Sequence, residues 1–140
     1  MRVLLVVLVN LCAVVGATPQ GRLQVEAQRW AEAWEAKDSR SLTALMAERG
    51  VRLRLPGEEY MLIKPRQAAA ALQVFLGRYG PGETRITRLS PAGETSEEGF
   101  AEIRWVTGSP GMTDPVIFTL FVGYTLEGGS WSVSEIRVLF

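Results

Sequence analysis

The hydrophobic period changes several times along the chain, and each change marks an element. Residues 3–17 form one apolar run, from Val3 through Val9 and Asn10 to Leu11-Cys12-Ala13-Val14-Val15-Gly16-Ala17, behind the single charge of Arg2. Residues 22–36 switch to helical spacing. Leu23, Ala27, Trp30 and Trp34 make one apolar stripe, while Arg22, Glu26, Arg29, Glu32 and Glu35 lie mainly off it. Thr18-Pro19-Gln20-Gly21 reads as a short leader to this helix. Lys37-Asp38-Ser39 interrupts the stripe, and Asp38 or Ser39 can cap a second helix by accepting from its free amides. That helix is expected to run to about Ala47 with Leu42, Leu45 and Met46 facing inward, and Gly50 stops it.

The period then falls to two. Val51-Arg52-Leu53-Arg54-Leu55 alternates strictly, as a half-buried strand does. Pro56-Gly57-Glu58-Glu59 turns the chain, and Tyr60-Met61-Leu62-Ile63 returns as its hairpin partner. Lys64-Pro65 opens a third helix with apolar face Ala68, Leu72, Phe75, Leu76 and Tyr79, and Gly80-Pro81-Gly82 ends it. The remainder reads as strands: Thr84–Leu89, Phe100–Thr107, Val116–Leu126 and Trp131–Phe140. Ser90-Pro91-Ala92-Gly93, Gly108-Ser109-Pro110-Gly111 and Gly128-Gly129 separate them. Val116–Leu126 carries little charge and is expected at the centre. No repeat, long linker or low-complexity stretch divides the chain, so residues 18–140 are read as one domain.

The order α-α-β-β-α-β-β-β-β resembles the nuclear-transport-factor-2-like superfamily over roughly residues 22–140. The carriers are Trp30-Ala31-Glu32-Ala33-Trp34-Glu35-Ala36-Lys37-Asp38, the Gln67–Tyr79 helix, and Gly129-Ser130-Trp131-Ser132-Val133 opening the last strand. The resemblance implies an α+β fold, with three helices packed on a curved, mostly antiparallel sheet of about six strands, a cone or cystatin-like roll. The layout is most similar to small exported members with no assigned activity. One fold of this kind hosts many functions, so chemistry has to be argued from the site.

Composition sets the outer limits. Of 140 residues, 47% are hydrophobic and 21% charged, which is ordinary for a globular domain large enough to bury a core without disulfides or metal. Basic and acidic residues balance at 15 each. Loss of residues 1–17 removes Arg2 and no acid, so nothing in the charge points to nucleic acid or an anionic membrane. The first segment has the order of a signal peptide: one cation, an apolar run shorter than the roughly 20 residues of a spanning helix, and Val15-Gly16-Ala17 as the cleavage pattern. Cleavage after Ala17 is expected, giving a secreted or periplasmic protein. Cys12 lies inside the apolar run behind Leu11, unlike a lipobox cysteine, so it reads as a small apolar residue. The exported domain then has no cysteine.

Candidate chemistry is sparse. Histidine is absent, which removes the commonest general base and metal ligand. Asp38 and Asp114 look like cap or turn residues, and Glu97-Glu98 like a solvated loop. Gly77-Arg78-Tyr79-Gly80-Pro81-Gly82 follows a helix rather than opening one, so it is not a phosphate cradle. No metal, cofactor or catalytic residue is assigned. Catalytic members of the superfamily project acid–base residues into the cone, and the isomerases use a tyrosine on the first helix. Trp30 and Trp34 occupy that stripe here, which argues against isomerase chemistry. Two readings remain. One is a binding or interaction module whose conical pocket or sheet face holds an apolar small molecule or another exported protein. The other is an acid–base enzyme, isomerase-, cyclase- or dehydratase-like, with Glu102 or Glu135 as base.

Trp30, Trp34, Phe75, Trp105, Phe118, Phe121, Tyr124 and Trp131 are the aromatic candidates for pocket walls, with Trp30, Trp34, Phe75, Trp105, Tyr124 and Trp131 taken as site residues, although large rings in a small domain mostly pack as core. Glu102, Arg104, Glu135 and Arg137 complete the candidate set as charges within strands. Pairing Leu126 with Trp131 and Val106 with Val116 places Val122 opposite Glu135 and Leu120 between Glu102 and Arg137. That row would sit inside the cone or in a dimer seam, or else form a solvated pair. Homodimerisation through the sheet is expected, because the central strand is apolar on both faces and three helices cover only one.

Overall fold

The computed structural model describes residues 19–91 and 97–140. The apolar N-terminal run, its cleavage point, Cys12 and the Ala92-Gly93 part of one turn lie outside the described residues.

Helix α1 (Pro19–Glu35) begins earlier than the stripe alone indicates, because Pro19 suits a first turn whose amides have no helical partner. Leu23, Ala27, Trp30 and Trp34 are fully buried along it. The helix closes on Lys37 in the left-handed region at φ 52. There the Lys37 amide donates to the Trp34 carbonyl at 3.1 Å and the Asp38 amide to that of Ala33 at 3.0 Å. Asp38 then caps α2 (Ser39–Leu45), accepting from the Ser41 amide at 3.2 Å and its hydroxyl at 2.7 Å. Helix α2 ends before Ala47. Met46 is extended and forms a parallel bridge with Val133, so its side chain reaches the core from strand-like backbone.

Strands β1 (Val51–Leu55) and β2 (Glu58–Ile63) form a hairpin whose turn is only Pro56-Gly57, with Gly57 at φ 81. Helix α3 (Pro65–Leu76) buries Ala68, Ala69, Leu72, Phe75 and Leu76. Strands β3 (Glu83–Pro91), β4 (Glu98–Gly108), β5 (Pro115–Glu127) and β6 (Ser130–Leu139) follow. The six strands lie in the order β2-β1-β6-β5-β4-β3. Every neighbouring pair is antiparallel except β1 with β6. The architecture is therefore α+β, three helices on one open mixed sheet.

Among the described residues, irregularities break the pairing at Met61-Leu62, which together oppose Arg52 in β1–β2, at Thr87 in β3–β4, and at Ser134 in β5–β6. An extra residue bends its strand and increases the local twist. These bulges also set which residues align. Leu126 does pair with Trp131 and Tyr124 with Val133, but the bulge at Ser134 then places Gly123, not Val122, opposite Glu135, and Phe121, not Leu120, opposite Arg137. The β4–β5 connection is likewise longer, pairing Gly108 with Pro115 and Val106 with Ile117 rather than Val116. Glu102 thus faces Phe121, and Arg104 faces Thr119 rather than Phe118.

The helices cover one face of the sheet. Val51, Leu53 and Leu55, Ala101, Ile103 and Trp105, Phe118, Leu120 and Val122, Ile136 and Val138 all point beneath them and are at most a few per cent exposed. The opposite face is open. On β5 it presents Ile117, Thr119, Phe121, Gly123 and Thr125 in alternation, so it is less apolar than the sequence of the strand suggests. No helix among the described residues is long and apolar enough to cross a membrane.

Candidate functional site

The sheet divides the ten candidate residues between its two faces. Trp30, Trp34, Phe75, Trp105, Tyr124 and Trp131 lie on the helix side, each 6% exposed or less. Glu102, Arg104, Glu135 and Arg137 lie on the open side.

On the helix side, rings pack on rings. Trp34 meets Trp30 at 6.3 Å between centroids, Trp105 edge-on at 5.5 Å, and Phe75 at 6.4 Å. Trp105 stacks on Phe118 at 5.2 Å, and Tyr79 closes against both, at 5.5 and 5.1 Å. These are ordinary spacings for aromatic pairs in a filled core. Gly82 belongs to this packing, since a Cβ there would fall 2.5 Å from Trp105 Nε1 and 2.7 Å from the Val106 carbonyl oxygen. The polar atoms Trp30 Nε1, Trp34 Nε1 and Tyr124 Oη in this interior have no hydrogen-bond partner among the described residues. Burial pushes the Tyr124 phenol well above its ordinary value, and the Glu26 carboxylate adds to the effect.

On the open side, Glu102, Phe121 and Arg137 form one cross-strand row on β4, β5 and β6. The Arg137 guanidinium carbon lies 5.4 Å from the Phe121 ring centroid. Phe121 stacks on Phe100 at 4.8 Å with 23° between planes, and Arg88 covers the Phe100 ring at 5.1 Å. Two phenyl rings are therefore held between two guanidinium groups, an arrangement that ring quadrupoles favour. Arg137 also bonds Glu135 along its own strand, and Arg54 bonds Glu59 at 2.7 Å on the neighbouring hairpin. Glu59 raises the Arg54 guanidinium above its ordinary value, with Glu135 contributing at longer range. Glu102 accepts from the Thr87 hydroxyl and lies opposite Arg88 on β3, with no ion pair to it among the described residues.

Two shallow grooves open on this face. One of about 240 Å³ is lined by Arg52, Arg54, Glu59, Met61, Glu135 and Arg137. The other, of about 230 Å³, lies over Gly123 between Phe100, Phe121 and Glu135. Gly123 keeps that floor open: a Cβ there would stand 3.1 Å from the Glu135 Cβ. Arg104 and Glu135 do not meet. The sequence reading counted Phe121 among the aromatic pocket candidates but missed Phe100 and Arg88. The alternation of β5 carries the signal for Phe121, which shares a phase with Thr119 and Gly123. No group of three or more metal-binding side chains occurs among the described residues.

No protein-family model matches the chain, and no curated protein matches it. Solved structures do. The Kfla4162 protein of Kribbella flavida superposes with a TM-score of 0.70 at 14% identity, over 87% of this chain and 90% of that one. An NTF-2 like protein of unknown function from Shewanella oneidensis gives 0.65 at 12% identity, covering 86% and 98%. A DUF4783 family protein from Bacteroides ovatus gives 0.64 at 17% identity, covering 79% and 90%. The fold is that of the nuclear-transport-factor-2-like superfamily. At these identities the likeness shows the NTF2-like fold alone, and its neighbours include proteins of unknown function.

Proposed function

We propose that this NTF2-like protein is an exported binding or interaction domain that works through the open face of its sheet and pairs with a second copy there. The observation that carries the reading is the division between the faces. The helix side is filled by contacting aromatic rings, whereas the open side presents Ile117 and Leu139 at 44% and 45% exposure beside the Phe100–Phe121 stack. Exposed apolar surface rimmed by polar groups is the usual mark of an association surface. Homodimers commonly join by one patch related to itself by a twofold axis. The enzyme reading fits less well. Glu102 and Glu135 stand on the open face beside arginines, not in a closed apolar pocket where a general base gains its strength.

Light scattering of the purified domain at high micromolar concentration tests the proposal. A mass of two chains is expected, with Ile117→Lys shifting the protein towards one chain while leaving its circular dichroism unchanged. A strictly monomeric mass overturns it. Native mass spectrometry against a broad small-molecule set tests the remaining ligand question, and turnover of any compound would restore the enzyme reading.

A further inference from the structure

Strands β2 and β3 are the two edges of the sheet. An edge leaves a row of backbone amides and carbonyls without a strand partner. Along β3 those groups can be assigned. The Thr84 amide and hydroxyl both donate to the Glu35 carboxylate, so the Thr84 amide turns away from β4. Outward and inward groups alternate along an antiparallel strand, which turns Ile86 outward as well. Thr87 is the extra residue of the bulge, and Leu89, opposite Ala101, is the next to turn outward. On that side the backbone groups of Ile86 and Leu89 have no partner among the described residues.

Helix α1 runs beside this edge. Gln24, Gln28, Ala31 and Glu35 recur at helical spacing and form one stripe along it. Glu35 fastens one end of the stripe to Thr84. Beyond that bond a groove of about 550 Å³ opens, with Gln24, Gln28 and Ala31 on one wall and Thr84, Arg85, Ile86 and Leu89 on the other. Ile86 and Leu89 give it apolar side chains as well as a strand edge. A glutamine carboxamide can both donate to and accept from a peptide backbone. Gln24 has no hydrogen-bond partner among the described residues, and Gln28 has the Glu32 carboxylate at 3.4 Å.

Charge selects the occupant. Arg85 and Arg88 stand exposed on the open-face side of β3, neither in an ion pair among the described residues. Arg85 lies opposite Arg104 and Arg88 opposite Glu102, so three guanidiniums share one carboxylate there, with Glu83 two residues before Arg85 on the same face. A strand added to β3 would set its own side chains beside Arg85 and Arg88, where carboxylates attract and cations repel. A second copy of β3 would bring another Arg85 and Arg88 into the patch, which disfavours self-pairing. We infer that the α1–β3 groove is a docking site for an extended acidic segment of another protein, added to β3 as a further strand. The segment's backbone bonds Ile86 and Leu89, its apolar side chains enter the groove, and its carboxylates face Arg85 and Arg88. In this mode main-chain bonds supply affinity and alternate side chains supply specificity. The site does not depend on two copies pairing through the sheet face.

The probe is an acetylated, amidated heptapeptide of alternating glutamate and valine, with its lysine–valine counterpart as control. Amide chemical shifts and hydrogen exchange of the isotope-labelled domain read the binding. The acidic peptide is expected to bind at least about tenfold more tightly than the basic one. It is also expected to slow exchange at the Ile86 and Leu89 amides in proportion to occupancy. Arg85→Glu combined with Arg88→Glu is expected to reverse the preference between the peptides while circular dichroism stays unchanged. No binding of the acidic peptide at millimolar concentration, or equal binding of both, overturns the inference. So does binding that shifts open-face amides and leaves Ile86 and Leu89 unprotected, which would mean that the acid meets exposed arginines only. Protection of those two amides that rises with protein concentration in the absence of peptide assigns the edge to a second copy and overturns it as well.

Discussion

Arg137 lies over the face of Phe121, its guanidinium carbon 5.4 Å from the ring centroid, while its Nε donates to Glu135 two residues away on the same strand. The side chain remains 44% exposed, so solvent screens both interactions. In dilute protein below the association range, Arg137→Met is expected to change unfolding free energy by less than about 1 kcal/mol. Urea titration measures it. A loss of several kcal/mol would mean that the row is enclosed even in the single chain.

Trp30 sits at the other extreme, fully buried and packed on Trp34 at 6.3 Å. Trp30→Ala removes its contacts and leaves a cavity, with an expected loss of about 3–5 kcal/mol. Acrylamide should quench neither Trp30 nor Trp34 in the native protein. Free quenching of either would contradict the burial of the stripe.

Tyr124 combines a buried ring with a hydroxyl that has no hydrogen-bond partner among the described residues. Removing that oxygen removes its desolvation penalty, so Tyr124→Phe is expected to be neutral or to stabilise by about 1 kcal/mol. The raised phenol pKa has a definite sign. In the unfolded chain the phenol ionises near its ordinary value, whereas in the folded chain it stays protonated. Stability therefore falls as pH rises above about 10. Ultraviolet titration should show Tyr124 ionising only as the protein unfolds, and Tyr124→Phe should flatten the alkaline loss.

Asp38 works in the opposite pH range. The Ser41 hydroxyl and then the Ser41 amide hold its carboxyl below the usual value. A depressed folded pKa gives stability that is complete above the unfolded aspartate value and lost as pH falls through the folded one. Asp38→Ala should lower the melting temperature at pH 7, and the gap should close in acid. Asp38→Asn should retain part of the cap at both pH values. A gap that is the same at pH 7 and in strong acid would show that the charge plays no part.

The proposed export would leave a mass signature. The order of Arg2, the apolar run and Val15-Gly16-Ala17 predicts cleavage after Ala17 and a mature chain beginning at Thr18. Intact-mass measurement of exported protein should find that start. Retention of residues 1–17, or a lipid on Cys12, would contradict it.

Periodicity made the element order legible because each helix and strand buries one clean face. Leu23, Ala27, Trp30 and Trp34 share a stripe, and Val51, Leu53 and Leu55 alternate with Arg52 and Arg54. Register was harder to read. A bulge leaves no apolar signature, and Ser134 looks like any polar strand residue, yet it displaces β6 by one position against β5. The longer β4–β5 connection displaces β4 in the same sense. Glu102 and Arg137 therefore still share a row, but around exposed-side Phe121 instead of buried Leu120. That single-residue difference moves the charges out of the interior and onto the open face.

The parallel contact between β1 and β6 also bears on how the chain folds. Arg52–Arg54 pair with Glu135–Arg137, closing a loop of roughly eighty residues. Strand β6 stands between the β1–β2 hairpin and the β3–β4–β5 meander, and is the element that joins them. Until β6 is laid down, the early hairpin has no sheet to extend, and the two parts must wait for each other across most of the domain. Such non-local closure slows folding. Substitutions at the β1–β6 seam should therefore lengthen refolding times more than equally destabilising changes within the β3–β4 hairpin.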